Sequence, residues 1–294
     1  MRVLITGANG QLGVELVRAL AGTAEVIGRD LPDFDITGAE CAEVVASLEP
    51  DWVVHAAAAT DVDGCERDPA MATAVNEVGT RRVAEGCRRA GAGLVYLSTD
   101  FVFDGTKSAP YVETDTAAPI SAYGRSKLEG ERAVQAIAPR WAIVRTAWLY
   151  GVHGRNFVKT IVGKAAAGED LRVVNDQIGS PTYARDLADA IRELLVRESM
   201  GVFHLTNGGA CSWYEFTREI LRQAGFPATG VAPISSDELS RPARRPAYSV
   251  LANAAWERTG LPTLRAWPDA LTAMLRAWRA AGHTASPIFP GRLM

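Results

Sequence analysis

The sequence predicts an α/β fold, a doubly wound parallel sheet with a smaller C-terminal substrate-binding lobe. Three observations predict it. Short, nearly all-apolar runs alternate with helical runs through the first half. A glycine-rich loop stands between the first apolar run and the first helical one. Beyond about residue 150 the alternation loosens into glycine- and proline-rich stretches.

Taken in order, Arg2 to Thr6 is β-branched and apolar, a buried strand. Gln11 to Ala21 carries Leu12, Leu16, Val17 and Leu20 on one face, a helix. Glu25 to Gly28 reads as the second strand, Ala39 to Leu48 as a helix and Asp51 to Val54 as the third strand. Pro69 to Arg89 is expected as one long helix and Leu94 to Ser98 as the fourth strand. Ala122 to Ile137 is helical, Trp141 to Arg145 the fifth strand, and Leu171 to Val174 the candidate sixth. Right-handed crossovers turn this order into a doubly wound sheet.

We expect residues 1–150 to form the dinucleotide-binding domain and 151–294 mainly the substrate lobe, with 183–206 returning to the sheet. Segments 150–180 and 207–262 are expected in the lobe, and Trp267 to Ala281 has the pattern of an amphipathic helix.

Composition excludes several classes. Apolar residues make up 48%, charged residues 22%, and the net charge is -3. No basic excess points to nucleic acid. The four cysteines, Cys41, Cys65, Cys87 and Cys211, lack CxxC spacing, and the four histidines are scattered, so no metal site is expected. No stretch approaches the ~18 apolar residues of a membrane span. Met1-Arg2 runs straight into a strand, so no signal peptide and a cytoplasmic location are expected.

Gly7-Ala8-Asn9-Gly10-Gln11-Leu12-Gly13 is a G-x-x-G-x-x-G between strand and helix, the setting in which a Rossmann-like loop holds a dinucleotide. Gly7 takes the tight turn, Gly10 lets backbone approach a pyrophosphate at the positive helix end, and Gly13 allows close helix–strand packing. Strand two ends in Arg29-Asp30, a base and an acid together, so NADPH and NADH both remain candidate cofactors. Asp35-Ile36 is placed to cradle the adenine, or Asp35 serves as an acid at a helix start ahead of Thr37. Small residues from Ala56 through Ala58, Ala59 and Thr60 leave room for a cofactor or make a close-packed turn.

Tyr123-Gly124-Arg125-Ser126-Lys127 is a Y-x-x-x-K, which puts phenol and ammonium on one helical face. A free phenol titrates near ~10. A neighbouring ammonium is expected to lower that value and let Tyr123 act as acid and base. Lys127 is also placed to hold the nicotinamide ribose. Ser98-Thr99-Asp100 closes strand four, where ligands of such sheets bind, so Thr99 is placed to hydrogen-bond a substrate carbonyl.

These residues resemble the extended short-chain dehydrogenase/reductases. Within them the chain is similar to the dTDP-4-dehydrorhamnose reductase family. The similarity is carried by Gly10-Gln11-Leu12-Gly13, Ser98 to Gly105, Tyr123 to Leu128, Arg145 to Gly151, Asn156 to Thr160, Asp176 to Thr182 and Arg245 to Ser249. The resemblance covers nearly the whole chain. It implies transfer of hydride from NADPH or NADH to C4 of a dTDP-linked 4-keto-6-deoxysugar. Tyr123 would be the proton donor, assisted by Lys127, with Thr99 and Asp100 holding the sugar and Trp148 lining its pocket; Trp148 as plain core is the other reading. Gly10, Gln11, Leu12, Asp35, Ile36, Ala58, Ala59 and Thr60 match cofactor-contacting positions, and Val62 and Asp63 follow near the substrate.

Two departures stand out. The family usually has Tyr where this chain has Phe101 in the sugar site. Some members bridge subunits with Mg²⁺ on C-terminal glutamates, whereas His283 to Met294 contains no acid. A monomer or weak homodimer without a bridging metal is therefore expected. Arg241, Arg244 and Arg245 either attract the substrate diphosphate or form a solvated loop. A sibling dTDP-4-keto-6-deoxyhexose ketoreductase of antibiotic sugar synthesis is the nearest alternative. A non-catalytic NAD(P)-binding regulatory subunit is the contrasting one, and the intact Thr99, Tyr123 and Lys127 argue against it.

Overall fold

In the computed structural model the described residues are 1–228 and 230–282. The acid-free tail from His283, with the expectation drawn from it, lies outside them. Strand β1 (Arg2–Thr6) leads into α1 (Gln11–Leu20), then β2 (Glu25–Arg29), α2 (Cys41–Ser47) and β3 (Trp52–His55). Next come α3 (Thr80–Ala90), β4 (Gly93–Thr99), α4 (Ala122–Ile137) and β5 (Arg140–Thr146). The second half adds α5 (Phe157–Ala166), α6 (Ala184–Val196), β6 (Gly201–His204), α7 (Trp213–Ala224) and α8 (Trp267–Ala280).

Six strands form one all-parallel sheet in the order β6-β5-β4-β3-β1-β2. Alternate side chains serve opposite faces. Val3, Ile5, Val54, Val95 and Val144 pack under α1 and α6. Leu4, Val53, Leu94, Tyr96 and Ile143 pack under α2, α3 and α4. Both faces are covered, which is why the strands are apolar throughout. The chain steps from β1 outward to β2, then back across to β3. The switch point therefore falls between β1 and β3, where such sheets bind ligands.

The sixth strand is a correction. Leu171–Val174 instead pairs in parallel with Val231–Ile234 in the second lobe, and Gly201–His204 takes the sheet edge beside β5. The expected single helix from Pro69 is also revised. It runs as Pro69–Thr73, a π-helical stretch Ala74–Gly79, and then α3, which stops at Gly91 with φ +70°. The lobe has its own core, in which Val158, Phe216, Ile220, Leu271 and Met274 pack α5, α7 and α8 together. Residues near 256–261 depart from the expected lobe assignment: Trp256 and Leu261 are buried in the main sheet's core.

All four cysteines are buried free thiols. Among the described residues no helix is long and apolar enough to cross a membrane, and no cluster of His, Cys, Asp and Glu is arranged to hold a metal ion.

Candidate active site

A cleft of about 650 Å³ opens over the carboxyl ends of β1, β3 and β4. Its floor is the glycine loop. Gly7 has φ +73°, and a Cβ there would lie 2.7 Å from the backbone nitrogen of Ala57, so the loops after β1 and β3 touch only because residue 7 lacks a side chain. Gly13 is as constrained, since its Cβ would fall 2.1 Å from the Gly7 carbonyl oxygen. Gly10 is the N-cap of α1, and no side chain caps that end. The first amides of α1 are thus left for an external acceptor beside the cleft, which fits a dinucleotide diphosphate.

A smaller hollow of about 240 Å³ continues the cleft past Asp30, Asp35, Ile36 and Ala56 to Ala58. Asp30 closes the turn: one carboxylate oxygen accepts from the Asn9 amide at 2.8 Å and the other from the Leu31 amide at 2.8 Å. Asp35 accepts from both the amide and hydroxyl of Thr37 at 2.8 Å, which holds its carboxyl below the ordinary range. Asp35 thus lines the hollow and ties down its own turn, ahead of α2 rather than at a helix start.

Thr99, Asp100, Phe101, Tyr123, Lys127 and Trp148 all line the cleft, together with Gln11, Leu12, Ala58, Thr60 and Val62. Asn9 and Ala59 belong to the same loops: the Asn9 amide is held by Asp30, the Ala59 backbone by Asn76, and the Ala59 methyl packs against the cluster of Cys65, Ala72 and Tyr123. Asn76 sits in the π-helical stretch and is buried. Its side chain accepts from the Ala59 amide at 2.8 Å and donates to the Ala59 carbonyl at 3.0 Å and to Ser126 Oγ at 3.0 Å. One amide side chain thus ties the loop after β3 to the Y-x-x-x-K helix.

Helix α4 starts at Ser121, whose hydroxyl accepts from the Gly124 amide at 3.1 Å. Its first two turns carry Tyr123 and Lys127, which are 9% and 3% exposed. The expected electrostatics is corrected here. Burial raises the Tyr123 phenol well above its usual value, and the opposing contribution is a hydrogen bond with Thr99 rather than the ammonium. Burial also pushes Lys127 down to about 7, with Glu131 pulling the other way. The Lys127 Nζ lies 4.2 Å from the centre of the Tyr96 ring. The resting phenol is therefore held protonated, the state a proton donor needs.

Behind Lys127 lies a buried charged group. Arg145 on β5 donates from Nε and Nη2 to the two Glu131 oxygens at 2.9 and 2.7 Å, and Ser98 donates to the same carboxylate. Asp100, raised to about 6 by burial, accepts from the Thr99 hydroxyl at 3.0 Å.

The far wall is aromatic. Trp148 has φ +46°, a strained backbone for a bulky residue. Its ring stacks on Trp213 with centres 3.5 Å apart. The indole lines the cleft and also packs against the core of the second lobe. Both tryptophans, with Phe101 and Arg245, also line a second cavity of about 420 Å³ that carries Lys164, Arg172 and Arg241. Trp213 is a site residue with no local signal in the sequence. Arg245 pairs with Asp63 at 2.8 Å and so closes the two halves over the cleft.

The family model described as RmlD substrate binding domain matches residues 1–280. The chain belongs to the RmlD substrate binding domain family. Among RmlD relatives, a Streptomyces antibioticus protein named probable dTDP-4,6-dihydroxy-2-methyloxan-3-one 4-ketoreductase is 43% identical over 96% of this chain and 97% of its own. A Burkholderia thailandensis dTDP-4-dehydrorhamnose reductase is 41% identical over 89% of this chain and 94% of its own. The RmlD fold is shared with a Bacillus anthracis dTDP-4-dehydrorhamnose reductase solved in complex with NADP. That structure has a TM-score of 0.91 and 39% identity, covering 94% of this chain and 99% of the other.

Proposed function

We propose that this protein reduces the C4 keto group of dTDP-4-dehydro-β-L-rhamnose to give dTDP-L-rhamnose, using NADPH or NADH. The observation that carries the reading is that Thr99, Tyr123 and Lys127 share one cleft with the uncapped glycine-loop helix. The relatives' names supply the substrate class. In this reading the cofactor half is residues 1–150 with 183–206, and the sugar nucleotide meets the later residues.

When bound, the nicotinamide supplies a hydride to the carbonyl carbon. The oxygen then gains charge, and Tyr123 donates its phenolic proton to it, so the keto group becomes an alcohol. Thr99 orients the same oxygen. The phenolate left behind shares a helical face with the Lys127 ammonium in a dry site, where opposite charges attract strongly. The ammonium thus acts when the phenolate appears and does not create it beforehand. Solvent then returns a proton to Tyr123. Phe101, edge-on to Tyr123 at 5.6 Å, and Trp148 exclude water from the reacting face.

One second reading has a specific observation behind it. Phe101 removes a hydroxyl from the sugar pocket, and the Streptomyces antibioticus ketoreductase is as similar as the rhamnose enzymes. A sibling dTDP-4-keto-6-deoxyhexose ketoreductase would use the same residues. The test supplies dTDP-4-keto-6-deoxy sugars with and without a 3,5-epimerase, follows nicotinamide absorbance, and identifies the product by NMR. Consumption only with the epimerase, giving dTDP-L-rhamnose, is the expected result; no consumption with any sugar rejects both readings. Tyr123→Phe should lose about 10²- to 10⁴-fold in kcat while still binding cofactor. Unchanged turnover in that variant would overturn its assigned role.

A further inference from the structure

Three cationic side chains line the main cleft: Lys127, Arg155 and Arg245. Two are committed. Lys127 is buried, with its Nζ over the Tyr96 ring. Arg245 is spent on Asp63 through both of its terminal nitrogens. Arg155 has no hydrogen bond, ion pair or ring contact among the described residues, and its side chain is exposed. Yet the cleft, on the reading above, takes two diphosphates.

The segment carrying Arg155 is built, not loose. Lys159 Nζ donates to the carbonyls of Val152 at 2.9 Å and Gly154 at 2.8 Å. Asn156 donates to the Gly151 carbonyl at 2.8 Å and to Gln11 Oε1 at 3.0 Å. Gly154, with φ +64°, presses so closely that a Cβ would lie 2.9 Å from Gln11 Cγ. The strap is therefore pinned across the first turn of α1, where a dinucleotide diphosphate meets the helix amides. The cations Lys164, Arg172 and Arg241 stand in the second cavity, on the other side of the Trp148–Trp213 pair.

We infer that Arg155 is a cofactor-binding residue: from this strap it reaches into the cleft and holds the diphosphate of NADPH or NADH against the amino end of α1. This rests on the reductase reading for the identity of the dinucleotide. A guanidinium opposite a diphosphate makes paired charge-assisted hydrogen bonds that an ammonium cannot reproduce.

The test is direct binding, without turnover. NADPH, NADH, ADP-ribose and dTDP are each titrated into native protein, Arg155→Ala and Arg155→Lys, at low and high salt. The expected result is about tenfold weaker binding of NADPH, NADH and ADP-ribose by Arg155→Ala, a smaller loss at high salt, and an intermediate loss for Arg155→Lys. Binding of dTDP and the melting temperature should not move. Loss for NADPH alone would mean that Arg155 reads a 2′-phosphate. Loss for dTDP would place it on the sugar nucleotide's diphosphate, and unchanged affinities would give it no role. Each of those outcomes overturns the inference. Native protein that binds neither nicotinamide would sink the reductase reading itself.

Discussion

Replacing Gly179 by alanine puts one methyl group against the Trp148 indole that lines the cleft. A Cβ at this position would lie 2.4, 2.6 and 2.7 Å from Cε2, Nε1 and Cζ2 of Trp148. Carbon atoms rest about 3.5–4.0 Å apart, so the indole must retreat by roughly 1 Å. It has little freedom to do so: its backbone is already in the left-handed region at φ +46°, and Trp213 lies stacked against it at 3.5 Å. Overpacking of this kind costs about 1–3 kcal/mol. A displacement of that size beside the reacting carbon lowers kcat/KM by about 10²-fold. Gly179 itself does not line the cleft, so cofactor affinity should be unchanged. Steady-state kinetics with the sugar nucleotide, an NADPH titration and a thermal melt read the three quantities separately. A Gly179→Ala protein whose kcat/KM stays within about twofold of the native value would refute the idea that Trp148 is held in place by the absent side chain.

Two further outcomes follow from the buried charges. Lys127 titrates near 7 in the fold against 10.5 when unfolded, so between those values the unfolded chain binds more protons. Its burial penalty is complete below 7 and fades toward 10.5. The stability of native protein relative to Lys127→Met should therefore rise as pH increases across that window, and a difference flat with pH would refute the shift. Arg145→Met leaves the Glu131 carboxylate buried without its bidentate partner. It should cost about 3–5 kcal/mol in urea denaturation, with much of the loss recovered by adding Glu131→Leu; a cost under about 1 kcal/mol would contradict the pairing.

The glycine loop and the Y-x-x-x-K were legible because each is local: a turn chemistry in one case, a helical spacing in the other. The choice of sixth strand was not. Leu171–Val174 is the more apolar run, but Gly201–His204 wins the sheet edge because α6 delivers it beside β5. Parallel pairing is decided by crossovers, which leave no mark on the strand itself. The electrostatics of Tyr123 was misjudged for a related reason. Spacing shows which groups are neighbours on a helix, whereas burial depends on everything packed around them, and burial dominates here. Trp213 and Arg155 were invisible because their value comes from chain segments far from the motifs. Asn76 carries no signal of its own inside the expected helix, and only the structure shows its side chain reaching both Ala59 and Ser126 from the π-helical stretch.

That stretch, Ala74–Gly79, makes the helix intolerant of tidying. A π turn holds one residue more than an α turn. Deleting a residue to regularise it would swing the preceding face by about 100°, the angular step of an α-helix. The amide of Asn76 would then point away from both Ala59 and Ser126. The wider winding is thus a length requirement written into the chain, and shortening it by one position would uncouple the loop after β3 from the helix that carries Tyr123 without touching either.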